Sequence, residues 1–119
     1  MLDLAPFQNL TLRGGFRLAE VQLTAQPLLD PIARAATAQT VIRGSTFHIF
    51  LRADLDEQEL SISLYHEVLE AATVAADAPP STVLDFNERS FEQAAQSPHQ
   101  RLGIASPTTL NQFLAEFGF

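Results

Sequence analysis

Hydrophobic and polar residues alternate along much of the first half of the chain, a pattern that is typical of β-strands. Residues 10–24 contain two short alternating runs on either side of Gly14 and Gly15, which predicts a β-hairpin. Residues 40–53 are rich in β-branched and aromatic side chains and are interrupted at Gly44. They therefore form either a pair of strands or one bent strand.

Residues 26–38, between these two segments, predict a short helix. Asp30 can serve as its N-cap, and Pro31 fits the first helical position, where its missing N–H costs no hydrogen bond.

The second half of the chain has helical periodicity. Asp56 followed by Glu59 predicts a capping box at the start of a long helix. This helix runs to about Asp77, where two consecutive prolines follow and stop it.

Two further helices follow the prolines. Residues 85–96 predict the first of them, with an acidic cap pattern of Asp85 and Glu88. The second begins with Ser106 as its cap and Pro107 at its first position. Its apolar residues recur at helical spacing and are assigned to the core: Leu110, Phe113, Leu114 and Phe117.

This order of elements predicts one α+β domain over residues 1–119. A small N-terminal β-sheet, made of the hairpin and the later strands, packs against a C-terminal set of about three helices.

Composition removes several kinds of chemistry. The chain has no cysteine, which excludes thiol catalysis, disulfides and cysteine zinc sites. All seven basic residues are arginine, so no lysine is present to form a Schiff base. Any metal site must therefore combine carboxylates with one of three histidines, His48, His66 and His99.

Charge is spread unevenly along the chain. Residues 1–53 carry five arginines and three acidic residues, whereas residues 54–119 carry two arginines and eleven acidic residues. Because the acidic half repels phosphate, we expect no binding to nucleic acid or to an anionic membrane. The first residues lack the basic charge of a signal peptide, and no apolar run is long enough to span a bilayer, so we expect a cytoplasmic protein.

The long helix contains the sequence His66-Glu67-Val68-Leu69-Glu70, which differs from the HExxH signature of zinc peptidases in its last residue. On a helical wheel the strongly polar residues of this helix share a strip of about one third of the circumference. His66 and Glu70 are one turn apart, so both can reach one divalent ion. Glu67 points beside that ion, where it can take a proton from water as a general base.

A plainer interpretation explains the same residues without a metal. Glu67 and Glu70 are then acids on the solvent side of the helix, and His66 forms a hydrogen bond with Glu70 one turn along.

Residues 46–76, an apolar strand followed by an acidic turn and then the His-Glu helix, resemble the zincin-like metallopeptidase core. The resemblance is to the small ImmA/IrrE-type and related minimal domains. It implies that His66 and Glu70 are metal ligands and that Glu67 is the catalytic base. It also implies that the strand containing His48 is an edge strand beside the cleft, where His48 either contacts substrate or faces solvent.

The resemblance also implies a third ligand downstream, which in one branch of these enzymes is a glutamate preceded by asparagine. Glu88 follows Asn87 and matches this pattern, but it also fits the predicted helix cap. Glu92 lies one turn later on the same helical face and is the alternative, and His99 is the spare candidate. One imidazole with two carboxylates would bind zinc, or manganese or iron, which accept harder ligands.

Three hypotheses follow. The protein is a metal-dependent hydrolase or peptidase that uses the HExxE helix, or it is a non-catalytic zincin-like module whose acidic cleft binds a peptide or protein partner. In the third, the motif is accidental, no metal is bound, and the domain is structural.

Overall fold

The computed structural model describes residues 2–29 and 35–119. Within them the chain forms six short strands, three α-helices and three single 3₁₀ turns. The strands are β1 Leu10–Thr11, β2 Arg17–Thr24, β3 Leu28–Leu29, β4 Ala35–Ala36, β5 Ala38–Arg43 and β6 Thr46–Arg52. The helices are α1 Glu57–Ala75, α2 Glu88–Leu102 and α3 Pro107–Glu116.

A four-stranded mixed sheet has the order β1-β2-β6-β5. β1 pairs with β2 as an antiparallel hairpin, which confirms the hairpin predicted over residues 10–24. β5 and β6 are also antiparallel, so residues 40–53 form a strand pair and not one bent strand. Gly44 takes a positive φ of 64° in the turn between them, a conformation that side-chain-bearing residues rarely adopt.

β2 and β6 run parallel to each other in the middle of the sheet. β6 is therefore an inner strand, and the expectation that it is the edge strand was wrong. The edge of the sheet next to β6 is formed by β5. The chain first forms β5 at the outer position and then turns back, so that β6 lies between β5 and β2.

The predicted short helix over residues 26–38 is not borne out where the structure can test it. Its proposed cap, Asp30, and Pro31 lie outside the described residues. On either side of them, β3 and β4 pair as a two-stranded antiparallel ribbon. Ala35 and Ala36 are therefore in a strand, because they complete a backbone ladder with Leu28 and Leu29.

The three helices cover one face of the sheet, which confirms the α+β architecture. On β6, Phe47, Ile49 and Leu51 are fully buried beneath the helices, whereas His48 alternates to the opposite face. From α3, Leu110, Phe113 and Leu114 enter the same core as predicted, and Phe117 packs against its margin. None of the helices in the described part of the chain has the length and apolar character needed to cross a bilayer.

The start of α1 agrees with the sequence prediction. The Asp56 side chain accepts a hydrogen bond from the backbone N–H of Glu59, and Glu59 reaches back to the backbone N–H of Asp56. The helix ends at Ala75, just before the predicted Asp77. Along the helix, the apolar Val74 is 67% exposed, whereas the polar Ser61 is completely buried.

The start of α2 requires a correction. Its cap is Asn87, whose side-chain oxygen accepts a hydrogen bond from the backbone N–H of Ser90 at 2.9 Å. Asp85 and Glu88 therefore do not form the cap, and Glu88 is the first residue of the helix. The helix also extends beyond Gln96 to Leu102 and includes Pro98, which is buried.

Candidate functional site

An open cleft of about 780 Å³ lies between the edge strand β5 and helices α1 and α2. One wall is formed by β3, β4 and β5, and the other by one face of α1 together with the first turns of α2. His66, Glu67 and Glu70 project into it from α1, and Glu88 projects from α2. The three ionisable residues of the HExxE sequence therefore line the cleft, whereas Val68 and Leu69 between them are buried in the core.

Two carboxylates from different helices meet at one nitrogen of His66. The Nε2 atom of His66 lies 2.9 Å from Glu70 Oε2 and 2.9 Å from Glu88 Oε1. The contact with Glu70 follows from the one-turn spacing within α1. The contact with Glu88 depends on tertiary packing, which brings the N-terminal turn of α2 against α1.

The aromatic side chain of Phe91 lies beside the imidazole of His66. The ring of Phe91 lies nearly parallel to that of His66, with 6.3 Å between the centroids. Phe91 is one turn after Glu88 on α2 and is itself buried. The same helix therefore supplies both a carboxylate for Nε2 and an aromatic ring beside the imidazole.

Glu67 is held apart from the other two carboxylates. Its Oε1 atom accepts a hydrogen bond of 3.0 Å from the hydroxyl of Thr40 on β5, and its Oε2 atom is 3.8 Å from His66 Nε2. Both Glu67 and His66 side chains are only 15% exposed. Burial, with the nearby charge of Glu70, raises the pKa of Glu67 to about 7, although His66 and Thr40 act in the opposite direction.

The ionisation of the other two partners is also displaced. Burial opposes the charged form of His66, but the hydrogen bond with Glu70 and the charges of Glu67 and Glu88 outweigh it and raise the pKa of His66. Partial desolvation and the adjacent charge of Glu70 raise the pKa of Glu88. The charge of His66 is therefore coupled to the protonation of both Glu67 and Glu88.

Of the candidates for a third ligand, Glu88 contacts His66. Glu92 lines the same cleft one turn further along α2, at an exposed position. His99 lies elsewhere: its Nδ1 atom is 2.9 Å from the hydroxyl of Ser61, on the side of α1 that faces away from the cleft. His99 is thus within α2 and linked to the core, and its position as a spare ligand is not supported by the geometry.

His48 lies on the open face of the sheet, opposite the face that the helices cover. Its Nδ1 atom is 2.8 Å from Glu20 Oε2 on the neighbouring strand. The position beside the cleft that the sequence suggested for its strand is occupied by β5, so the side chain that reaches Glu67 is Thr40.

Thr40 and Phe91 have no signal in the sequence that marks them as part of a site. Thr40 is one of three polar residues in β5, and only the register, in which Thr40 is opposite the buried Ile49, shows that its side chain faces the helices. Phe91 looks like any apolar residue of an amphipathic helix.

The donor set fits a divalent cation. Donor atoms of His66, Glu67 and Glu70 lie within 4.8 Å of one another, and Glu88 adds an oxygen at His66 Nε2. With Nε2 unprotonated, a cation between this nitrogen and the carboxylate oxygens could interact with all three groups. A site with one imidazole and several carboxylates favours manganese or iron, whereas zinc typically binds at sites that are richer in nitrogen ligands.

Comparison of the chain with protein-family models, with curated proteins and with solved structures finds no match.

Proposed function

We propose that this protein is a metal-dependent hydrolase with a zincin-like arrangement, in which His66, Glu70 and Glu88 bind a divalent cation. Glu67 is the general base in this proposal. The observation that carries it is the convergence of two carboxylates from two helices on one imidazole nitrogen, with a third, protonatable carboxylate beside them.

The zincin-like part of the proposal is supported by the arrangement around the HExxE helix. An edge strand, β5, borders the cleft and faces the segment of α1 that contains the sequence His66 to Glu70. The strand that leads through the turn at residues 53–56 into α1 is β6, which is an inner strand and not the edge strand that the resemblance implied.

Each residue has a distinct part. A divalent cation, when bound, polarises a carbonyl group and acidifies water. His66 and Glu70 hold their positions one turn apart, and Phe91 keeps the imidazole ring in place. Glu67, whose pKa is near 7, can accept a proton from water at its carboxylate and later return it to a leaving group. The open cleft gives an extended substrate access to these groups.

Metal analysis combined with an activity assay tests this function. The protein, purified without chelators, is expected to contain manganese, iron or zinc at a ratio close to one per chain, and His66→Ala should lose it. His48→Ala is the matched control, because His48 pairs with Glu20 on the other face of the sheet and should leave metal content unchanged.

Hydrolysis is measured with a library of quenched fluorescent peptides. Glu67→Gln should retain the metal and lose turnover by about 10²- to 10⁴-fold, the usual contribution of a general base. Metal retention together with full activity in this variant would rule out Glu67 as the base. An absence of bound metal in the unmodified protein, with a melting temperature indifferent to divalent ions, would contradict the metal site itself.

A non-catalytic binding module is the second candidate, and one observation favours it. Leu29 and Val74 line the cleft and expose 53% and 67% of their surface, so the cleft presents apolar as well as acidic side chains. Such positions suit contact with a peptide or protein partner. Retention of a peptide ligand by Glu67→Gln, but not by Val74→Asp, without hydrolysis by either protein, would favour this alternative.

A further inference from the structure

We infer that Thr40 is a positioning residue that keeps Glu67 out of the metal-ligand set and so reserves its carboxylate for proton transfer. This inference rests on the proposed metal-binding function of the cleft. It assigns a role to a residue of the edge strand that the HExxE sequence does not include.

The geometry that places Thr40 comes from the register of the sheet. Thr40 is directly opposite Ile49 of β6, and Ile49 is fully buried beneath the helices. Side chains of directly opposed residues point to the same face of a sheet. The hydroxyl of Thr40 is therefore directed toward α1, where it donates a hydrogen bond of 3.0 Å to Glu67 Oε1.

Three carboxylates compete for one position next to His66. Glu70 and Glu88 each have an oxygen 2.9 Å from Nε2, and the Oε2 atom of Glu67 is only slightly further away at 3.8 Å. Ligand atoms around one small divalent ion are typically about 3 to 3.5 Å apart. A modest rotation of the Glu67 side chain would therefore bring it to a ligand position.

The hydrogen bond from Thr40 opposes that rotation. It holds the Oε1 atom of Glu67 at the hydroxyl of Thr40 on β5, whereas Glu70 and Glu88 contact Nε2 of His66. A carboxylate that binds a cation loses most of its basicity, because the cation stabilises the charged form. The hydroxyl of Thr40 therefore separates the roles of three chemically equal groups: two are ligands, and the third is left as a base.

Co²⁺ binding to the full chain tests this inference without an activity assay. Affinity is measured by isothermal titration calorimetry, and the coordination of Co²⁺ is followed by visible absorption spectroscopy. In Thr40→Val the released Glu67 joins the ligand set, so Co²⁺ should bind about tenfold more tightly, a change of the size found for groups that orient ligands. The visible spectrum should change as well.

Two variants control for indirect effects. Thr40→Ser keeps a hydroxyl at the same position and should have the Co²⁺ affinity and visible spectrum of the unmodified protein. Thr37→Val makes the same chemical change on the same wall of the cleft and should leave both unchanged. Circular dichroism verifies that each variant is folded.

The double variant Thr40→Val/Glu67→Gln isolates the interaction. Without a carboxylate at position 67, removal of the Thr40 hydroxyl should give no further increase in affinity over Glu67→Gln alone. An unchanged affinity and spectrum in Thr40→Val, with Co²⁺ binding intact in the unmodified protein, would overturn the role of Thr40 and leave the metal site standing. A failure of the unmodified protein to bind Co²⁺ would overturn the metal site and this role together.

Discussion

The imidazole of His66 is the centre of the cleft because three carboxylates surround one of its nitrogens. Two of them, Glu70 and Glu88, are equally close, but they differ in exposure: the side chain of Glu88 is 68% exposed and that of Glu70 is 33% exposed. Each is within the distance of a charge-assisted hydrogen bond. The interaction of Glu88 with His66 is thus the one that water can weaken most easily.

Glu88 and Glu92 offer a matched test of the third ligand. Both are glutamates on α2 and both line the cleft. Of the two, it is Glu88 that lies within hydrogen-bond distance of His66. We expect Glu88→Gln to weaken Mn²⁺ binding by about 10- to 100-fold and Glu92→Gln to change it by less than about threefold. Calorimetric titration measures both. Equal losses, or a larger loss in Glu92→Gln, would show that the third ligand has been misassigned.

The raised pKa of Glu67 predicts how stability varies with pH in the metal-free protein. Between its usual value of 4.5 and about 7, the folded state keeps a proton that the unfolded chain releases. The free energy of unfolding should therefore fall as the pH rises through this window, by up to about 3 kcal/mol. The raised pKa of His66 acts in the same direction, because the stability gained by the charged imidazole is lost as the pH rises through that pKa.

Urea denaturation at pH 5, 6, 7 and 8 in the presence of a chelator measures this dependence. Glu67→Gln should make it shallower, since the amide does not titrate, and should leave the part that comes from His66. Asp54 and Glu116, whose pKa values are lowered by their arginine partners, titrate below this window and do not contribute. A free energy of unfolding that is constant or rises between pH 5 and pH 8 would contradict the burial of Glu67.

A buried polar contact on the side of α1 opposite the cleft joins α1 to α2 and to the segment before α3. The hydroxyl of Ser61, completely buried, accepts a hydrogen bond of 2.8 Å from the backbone N–H of Ala105 and lies 2.9 Å from His99 Nδ1. Through it α1 is joined both to α2 and to the segment that leads into α3. This contact keeps α2 against α1, and it is α2 that carries Glu88 to His66.

Ser61→Ala should therefore destabilise the protein by about 1 to 3 kcal/mol, because it leaves the buried N–H of Ala105 without an acceptor. Ser63→Ala is the matched control: Ser63 is on the same helix, half-buried and on the cleft side, and its loss should cost less than about 0.5 kcal/mol. Urea denaturation measures both changes. Similar values for the two variants would show that the Ser61 contact does not stabilise the helix junction.

Features that depend on neighbours in sequence could be predicted, and those that depend on distant parts of the chain could not. The capping box at Asp56 and the cap at Ser106 are local, and both were predicted correctly. The pairing of His66 with Glu70 is also local, since it follows from helix geometry.

The inner position of β6, by contrast, depends on its pairing with β2, which is distant in sequence. No local sequence pattern predicts this pairing. The same holds for the hydrogen bond between Thr40 and Glu67, whose partners lie on different elements. The cap of α2 was misassigned for a different reason: Asp85 and Asn87 both have side chains suited to capping, and it is Asn87 that has the extended backbone of a cap.

At the scale of the whole molecule, the uneven charge and the cleft belong together. The described residues of the cleft include four glutamates, and all four come from the acidic part of the chain. A concave surface lined by one sign of charge concentrates ions of the opposite sign. The cleft is thus suited to attract a cation and to repel phosphate groups.

Binding of a cation to the folded state alone should stabilise the whole domain. At about 100 times the dissociation constant, a divalent ion adds about 2.7 kcal/mol to the free energy of unfolding, which for a domain of this size raises the melting temperature on the order of 10 °C. Differential scanning calorimetry over a range of Mn²⁺ concentrations should give this increase for the unmodified protein. The same increase in His66→Ala would show that Mn²⁺ stabilises the protein somewhere other than the cleft.

The most direct measurement of the central claim is anomalous X-ray diffraction from crystals of the full chain soaked with Mn²⁺. We predict one strong anomalous peak in the cleft, within bonding distance of His66 Nε2 and of carboxylate oxygens of Glu70 and Glu88, with Glu67 still hydrogen-bonded to Thr40. No peak at His66 under conditions that saturate the crystal, or peaks only at surface carboxylates elsewhere, would contradict the assignment of this cleft as a metal site.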